Sequence, residues 1–507
     1  MKDTAVMKKM MRFATIGVWL AVAGCSGPSV PDVFTETAAL PKIYPDYTDV
    51  TVPVNMAPLT FELDEEADGM IARFAAADAE IVCSGKAQPE MEDWRSLAER
   101  AKGGAITVDV YARKDGQWTH YKPFSIHVSP DSIDSYLSYR LIYPSFVSYE
   151  DLTISQRCLE DYDERVVYDN MLCSFETKGQ CINCHSYQQY NPERMQFHAR
   201  QNQGGTVIAY DGTVKRVNMQ TDSTLAAGVY PAWHPWLKLI VYSTNKTNQS
   251  FHTVHHNKIE VYDTQSDLIA YDVEKGEITN LERDTTELEV FPAWAPDGKT
   301  LYYCSAHYVK QDSTLSRNAE IVKRAKELKY NIYKKSFDPE TMAFGPRELV
   351  FAADSLNRSA TLPRISPDGR FLMFTLAEYG VFHIWHHDAD LWLIDLQTGE
   401  ARPAEEINSA DTESYHSWSS NGRWVVFSSR RDDGTYTRPY FTHIGPDGRG
   451  TKPFQLPSAA PDFHRHFMRC YNIPEFMRGP VTITPQTFAE VLKGDAIPVR
   501  YVQHLTK

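Results

Sequence analysis

The sequence predicts an all-β chain in which a β-propeller occupies residues 204–507. A small β-sandwich-like domain is expected over residues 51–130, and a connector over residues 131–203 joins the two. Aromatic residues make up 12% of the 507 residues, which is typical of proteins built from half-buried strands. In the second half of the chain, four segments share an apolar anchor, a turn and an alternating strand, and such repetition indicates a propeller.

The prediction of a propeller depends mainly on the repeat. Its four copies begin Pro231-Ala-Trp-His-Pro, Pro292-Ala-Trp-Ala-Pro, Pro363-Arg-Ile-Ser-Pro and His416-Ser-Trp-Ser-Ser. A Pro-Asp-Gly or related turn follows each anchor, because proline presets φ and glycine tolerates positive φ. The copies lie 53 to 71 residues apart, which is enough for a four-stranded blade with insertions.

The first domain is predicted from alternation of apolar and polar residues. Residues 105–112 and 124–128 alternate in this way, and Asp115-Gly116 predicts a hairpin turn between them. A short helix is expected from Met91 to Lys102, where Trp94, Leu97 and Ala98 fall on one face. This domain contains no motif that carries chemistry.

The N-terminus has the features of an export signal. A basic head precedes a short apolar core at 13–23, which is too short to span a bilayer. Val22-Ala23-Gly24-Cys25 resembles a bacterial lipoprotein signal box, which implies removal of residues 1–24 and a lipid on Cys25. An ordinary secretory signal with an unmodified cysteine is the alternative. Ser26 implies the outer membrane, and residues 25–50 are interpreted as a tether.

Cys181-Ile-Asn-Cys184-His185 is the motif with the clearest chemical meaning. Two cysteines three residues apart, followed at once by histidine, form the spacing of c-type haem attachment. With 8 Cys and 17 His in the chain, chance predicts only about 0.004 such runs. Cys181 and Cys184 would bind the haem vinyl groups, and His185 would be the proximal iron ligand. The sequence therefore predicts one covalent haem c in the connector.

Three other interpretations of the cysteines remain open. Half of a zinc site would need a second CxxC pair, and the sequence has none. A redox pair is expected at the junction of a βαβ unit, which the surrounding residues do not resemble. A disulfide is the third alternative, and Cys158 with Cys173 is a further candidate for a bridge.

The second axial ligand is not fixed by the motif. Met195 and His198 follow His185 closely enough to be candidates, and His416, His464 and His466 are more distant ones. Arg194 and Arg200 are candidates for contacts with the haem propionates. Packing in the core is the competing interpretation for Met195, and a surface position is the competing one for the arginines. Short runs of histidine also occur at residues 252–256 and 383–387, and solvated or packed side chains are the favoured interpretation of both.

The sequence also resembles a known family. Residues 204–455 are similar to the TolB-like propellers with WD40-like Pro-Asp-Gly repeats. The resemblance implies a ring of about six blades, with the missing strands supplied by Thr206–Tyr210, Thr213–Val217 and the segment Val481–Val502. The whole chain is similar to lipoproteins of Bacteroidetes-type bacteria that join a CxxCH segment to such a propeller. That likeness rests on Cys181–Ser186, Asn191–Met195, Phe197–Arg200 and Tyr415–Trp424.

Composition and motifs narrow the function. A net charge of −14 with no basic cluster after the signal argues against nucleic acid as a partner. The sequence lacks GxSxG, P-loop and HExxH motifs, so it predicts an electron carrier or a binding protein rather than an enzyme. The leading hypothesis is a lipid-anchored monohaem cytochrome of the cell envelope that uses its propeller to dock a redox partner protein. The alternatives are a scaffold that binds a protein or glycan at the propeller mouth, and haem-based catalysis.

Overall fold

The computed structural model describes residues 27–144, 151–174, 179–253 and 257–505, and most of its regular structure is β-strand. The predicted signal peptide and Cys25 lie outside the described residues. None of the helices in this part of the chain is long and apolar enough to cross a membrane.

The N-terminal unit is built on one sheet. Its elements are β1 (Thr35–Glu36), β2 (Ile43–Tyr44), β3 (Thr51–Pro53), β4 (Glu62–Leu63), β5 (Gly69–Ala76), β6 (Ala79–Ser84), α1 (Met91–Arg100), β7 (Ala105–Lys114), β8 (Gln117–His120) and β9 (Phe124–Ser129). Seven strands pair in the order β1-β8-β7-β5-β6, with β9 on β7 and β3 on β9, while β2 and β4 form a separate ladder. The sandwich-like description of this domain stays a prediction. The predicted tether is not free, because β1 pairs with β8 and Tyr47 is fully buried.

Packing joins this unit to the propeller. Helix α1 buries Trp94, Leu97 and Ala98, as its apolar face predicts. The same apolar cluster contains Trp424 and Phe441, which belong to the propeller. The two parts therefore share one core.

The remaining elements form the ring. They are β10 (Tyr136–Ile142), β11 (Thr153–Cys158), β12 (Glu164–Asp169), β13 (Gln180–Tyr187), β14 (Met195–Gln201), β15 (Gly205–Tyr210), β16 (Thr213–Asn218), β17 (Gly228–Trp233), β18 (Leu239–Phe251), β19 (Ile259–Asp272), β20 (Glu277–Asn280), β21 (Glu287–Trp294), β22 (Thr300–His307), α2 (Arg317–Lys323), β23 (Asn331–Asp338), β24 (Ala343–Phe351), β25 (Ser359–Ile365), β26 (Phe371–Ala377), β27 (Asp390–Asp395), β28 (Ala401–Pro403), β29 (Glu413–Trp418), β30 (Trp424–Ser429), β31 (Arg438–His443), β32 (Phe454–Gln455), α3 (Phe463–His466), β33 (Cys470–Met477), α4 (Pro485–Lys493), β34 (Ile497–Pro498) and β35 (Arg500–Tyr501).

Four blades correspond to the four sequence repeats. They are the antiparallel meanders β17–β20, β21–β24, β25–β28 and β29–β32, and each repeat anchor ends the innermost strand of its blade. The propeller predicted from the repeats is therefore confirmed. Two further four-stranded arrangements lie beside these blades: β13–β16, and β33 with β10, β11 and β12.

The innermost strands contact one another around the ring. Strand β13 contacts β17, and the contacts continue through β21, β25 and β29 to β33, which touches β13 again. The predicted connector at residues 131–203 is therefore part of the ring, since it supplies β10 to β14. This corrects the predicted boundary at residue 204.

The C-terminal segment was predicted to supply missing blade strands, but it forms mainly a helix and two short strands at sheet edges. Residues 481–502 form α4 and two short strands, of which β34 extends β16 and β35 extends β20, both in parallel. Thr484 caps the N-terminus of α4, since its hydroxyl accepts a hydrogen bond from the Thr487 N–H, and the helix buries Phe488 and Leu492. The strand that meets the start of the ring is β33, which pairs with β10 along residues 470–477.

Candidate functional site in the propeller channel

Each innermost strand is interrupted by a bulge at the middle of the ring. The ladder register shifts there in all of them, and one residue takes a positive φ. These residues are Cys184 (58°), Tyr230 (49°), Phe291 (53°), Leu362 (56°), Tyr415 (43°) and Ile473 (53°). A bulge bends the strand and redirects the adjacent side chain. Here all of these residues line the central channel.

The second half of the CxxCH motif occupies this repeated position. In four of these strands, the residue that follows the positive-φ residue is a proline, at positions 231, 292, 363 and 474. In the other two strands it is a histidine, His185 or His416. Cys184-His-Ser-Tyr187 therefore aligns with Tyr230-Pro-Ala-Trp233 and, more closely, with Tyr415-His-Ser-Trp418. This copy is not among the four predicted repeats, although the His-Ser-aromatic match is the sequence signal that reveals it.

His185 has no hydrogen-bond partner in the channel. The side chain is 1% exposed, and neither ring nitrogen makes a hydrogen bond to any described residue. The carbonyl groups of Ser138 and Ile473 lie near the ring without hydrogen-bond geometry. Burial, assisted by the positive charge of Arg140, lowers the pKa of His185 to about 3, so the imidazole is neutral at pH 7.

The two motif cysteines lie in different surroundings. Cys184 is buried and lines the channel, and burial raises the pKa of its thiol. Cys181 is partly exposed and packs against the apolar cluster beside α4. Every described cysteine is a free thiol, so the Cys158–Cys173 bridge is not formed.

The residue types suit a c-type haem, but the space does not. Two free thiols and an unpartnered buried histidine are the donors that such a haem requires. The cavity that Cys184 and His185 line has a volume of about 40 Å³, room for about three water molecules. A porphyrin is much larger than that, and Cys181 is not part of the cavity wall. In this conformation the residues do not fit the group.

The predicted distal ligands lie one strand further out. Met195 is fully buried in β14, where it pairs with Tyr187 and Ala209. His198 lies in the same strand, and its Nδ1 is 3.1 Å from the Thr206 hydroxyl. Neither residue lines the cavity of His185.

The two predicted propionate contacts have other positions. Arg194 pairs with Asp211 at 3.0 Å and lies over the ring of Tyr210. Arg200 pairs with Cys181 across the β13–β14 ladder, and its side chain is exposed. Arg200 is therefore near the motif, whereas Arg194 is held elsewhere.

The other candidate histidines either contact neighbouring polar groups or are exposed to solvent. His416 is buried and lies 3.0 Å from the Met373 carbonyl, and His464 is buried between Gln455 and Tyr471. His466 is exposed. In the run at 383–387, His386 is buried against Glu260 at 2.9 Å. Within the described ranges, no three His, Cys, Asp or Glu side chains are grouped as metal ligands.

A second cavity opens where the channel meets the surface, and we call it the mouth cavity. Its volume is about 180 Å³, and it shares Ser186, Pro231, Arg364 and Glu475 with the channel cavity. The side chains of Trp233, Trp294 and Trp418 contribute to its wall. Arg364 and Glu475 form an ion pair of 2.7 Å inside it, and the Ser417 hydroxyl lies 3.3 Å from the same carboxylate. The mouth cavity thus combines aromatic and paired charged groups.

Comparison with known proteins identifies no family. No family model matches the chain, and no curated protein matches it. An oligogalacturonate lyase in complex with manganese has 12% identity and a TM-score of 0.29, over 67% of this chain and 86% of that one. Prolyl oligopeptidase B from Galerina marginata has 11% identity and a TM-score of 0.32, over 69% of this chain and 42% of that one. Likeness at this level carries no argument about activity, and the fold assignment depends on the sheets of the chain itself.

Proposed function

We propose that the protein is a binding protein of the cell envelope that takes its ligand into the mouth cavity of the propeller. The observation that carries this proposal is the continuity of that cavity with the channel beside His185. Concave sites with a few convergent polar groups among apolar side chains are typical of ligand pockets. Arg364 and Glu475 supply one donor and one acceptor group at the junction of the two cavities.

The same proposal includes the blade count of the propeller and the cellular location of the protein. We count β13–β16 and the sheet of β33 with β10–β12 as blades, which gives a six-bladed, TolB-like ring. Lipid on Cys25 would hold this ring at the outer membrane, facing the periplasm. Mass spectrometry of the mature N-terminus tests the anchor, since an unmodified Cys25 or a different first residue would contradict it.

Binding at the mouth is tested with panels of oligosaccharides and peptides. Tryptophan fluorescence is a direct readout, because three tryptophans line the cavity. The double variant Arg364→Gln/Glu475→Gln removes the ion pair without changing the net charge. We expect it to weaken binding at least tenfold, since a hydrogen bond to a charged group contributes about 1.5–3 kcal/mol.

The matched control is Arg358→Gln/Asp388→Asn, which removes an exposed ion pair of 2.9 Å outside the mouth cavity. This variant is expected to bind as the wild type does. If no compound in either panel gives saturable binding, or if both double variants lose binding equally, the proposal fails.

The second candidate is the monohaem electron carrier, with a redox protein of the envelope as partner. Its specific support is that the ring nitrogens of His185 have no hydrogen-bond partner among the described residues and that Cys181 and Cys184 are both free thiols. The channel would have to widen to accept the group, which when bound would supply one-electron transfer. A pyridine haemochrome spectrum of protein exported from a strain with haem-attachment machinery tests this candidate. An absorbing group that is lost in Cys181→Ala and His185→Ala supports it, and a colourless protein removes it.

A further inference from the structure

The channel cavity has two neighbouring side chains on its wall that are of types that bind metals. Cys184 and His185 follow each other in β13, and both line this cavity of about 40 Å³. Successive side chains of a regular strand point to opposite faces, so an uninterrupted strand would place only one of them there. The bulge between Asn183 and Ser186 takes both residues out of the ladder and allows both to face the channel. The fold therefore brings a thiol and an imidazole to one small space.

The imidazole of His185 has ring nitrogens available for a ligand. The side chain is 1% exposed, and neither nitrogen has a hydrogen-bond partner among the described residues. His416 holds the equivalent position in β29, but its Nε2 lies 3.0 Å from the Met373 carbonyl and it is not part of the cavity wall. The position after the bulge therefore does not by itself direct a histidine into the cavity. A buried polar group without a partner destabilises the fold, so the orientation of His185 needs an explanation.

We infer that Cys184 and His185 bind a single copper(I) ion in the channel. Thiolate sulfur selects soft ions such as copper(I), and imidazole also suits copper. Copper(I) is stable with two ligands, whereas a structural zinc ion takes four. Within the described ranges no three His, Cys, Asp or Glu side chains are grouped as metal ligands. The one carboxylate on the cavity wall, Glu475, is already paired with Arg364 at 2.7 Å. A two-ligand ion is therefore the kind of metal that this wall can hold.

Charge and size both favour this ion. On binding, the metal takes the place of the thiol proton, which is released to solvent, so the copper(I)–thiolate pair carries no net charge. A divalent ion would leave one positive charge among Tyr230, Phe291 and Leu362, and a buried unpaired charge is costly. The apolar wall also limits access of water to the metal. The volume of about 40 Å³ is enough for one ion and far too small for a macrocycle.

The mouth cavity gives the ion a path from the surface, since the two cavities share Ser186, Arg364 and Glu475. The inference goes beyond the ligand proposed for the mouth and does not depend on it. It also differs from the haem candidate, because covalent haem requires both cysteines of the motif. Cys181 is not part of the cavity wall, so the copper site does not include it.

The experiment is a competition for copper(I) between the protein and the chelator bicinchoninate, in the absence of oxygen. The protein is exported from a strain that lacks haem-attachment machinery. We expect the wild type to retain one copper ion per chain. Cys184→Ser and His185→Pro should bind it at least tenfold more weakly, because each variant lacks one of the two ligands.

Cys181→Ser is the matched control, since it removes the other thiol of the motif, which lies outside the cavity, and it should retain copper as the wild type does. Thermal unfolding of each variant reports whether it is folded. X-ray absorption at the copper edge of the wild type is a second measurement that needs no variant, and it should show one sulfur and one nitrogen ligand.

Three results would overturn the inference. A wild type that retains no copper would show that the cavity holds water only. Equal loss of copper in Cys181→Ser and Cys184→Ser, or a ligand set of sulfur alone, would assign the metal to the cysteine pair instead. Haem bonded to Cys184 in protein from a competent strain would also contradict it, because a thioether sulfur cannot act as a thiolate. The mouth proposal would survive each of these results, since it is tested by the binding of oligosaccharides and peptides.

Discussion

Burial sets the protonation of several side chains inside the propeller, and Asp263 is a clear example. The residue is 3% exposed, and its Oδ2 has no partner among the described residues. Burial raises its pKa from 3.8 to about 7, so the folded protein holds a proton that the unfolded chain has released. The neutral form therefore contributes stability below pH 4, and this contribution is lost as the pH rises from about 4 to 7.

Asp263→Asn is expected to remove this dependence, because asparagine stays neutral at every pH. Relative to the wild type, the variant should gain on the order of 3 kcal/mol in unfolding free energy between pH 4 and pH 8. Urea unfolding at a series of pH values measures the difference. Asp78→Asn is the control, since Asp78 is 82% exposed and its variant should run parallel to the wild type. A constant difference between Asp263→Asn and the wild type would contradict the assignment.

At the scale of the strand, the bulge explains why position 185 tolerates a histidine where four other inner strands have proline. The ladder between β13 and β14 skips from Asn183 to Ser186, so residues 184 and 185 have no ladder partners. Four of the equivalent positions hold proline, which lacks an N–H and is tolerated at bulges. The fold therefore requires no particular side chain at this position.

His185→Pro is expected to fold with a stability close to that of the wild type, because it restores the residue that most strands of the ring carry. Val426→Pro is the contrasting variant, since Val426 is fully buried in β30 and pairs in a ladder with both neighbouring strands. It should lose about 3 kcal/mol or more. Circular dichroism and thermal unfolding of both variants check this, and a His185→Pro protein that is as unstable as Val426→Pro would show that the histidine is needed for folding.

The same scale shows which elements the sequence could predict. Four blades were predictable because anchor, turn and strand occur together after Pro231, Pro292, Pro363 and His416. The copy in β13 was hidden, because Cys184-His185 replaces an aromatic-proline pair and no Pro-Asp-Gly turn follows it. The copy in β33, Ile473-Pro-Glu-Phe476, was hidden because its partner strand β10 lies more than 300 residues earlier in the chain.

The candidate site was predictable in part. The motif directed attention to Cys184 and His185, which do line the channel. The absence of hydrogen-bond partners for His185 among the described residues could not be predicted, since it depends on strands that are distant in sequence.

At the scale of the whole molecule, the ring is held closed by a strand from the C-terminal part of the chain. Strand β33 pairs with β10 and contacts both β29 and β13, so it links the last repeat to the first strands of the ring. The segment after it has a different role, because α4 contacts β12, β15 and β16 and packs Phe488 and Leu492 into an apolar cluster with them. Strand β33 therefore closes the ring, whereas the adjacent helix α4 covers an apolar cluster.

A chain that ends after Arg469 is therefore expected to lose its cooperative unfolding transition, because β10 would lack its inner neighbour and the ring would stay open. A chain that ends after Gly479 keeps β33 and loses only α4 and the two edge strands. It should still unfold in one transition, at a lower midpoint, since the apolar surface under Phe488 becomes exposed. Calorimetry and limited proteolysis distinguish the two chains. If the chain that ends at Arg469 unfolds cooperatively at the wild-type midpoint, ring closure by β33 does not determine the stability of the propeller.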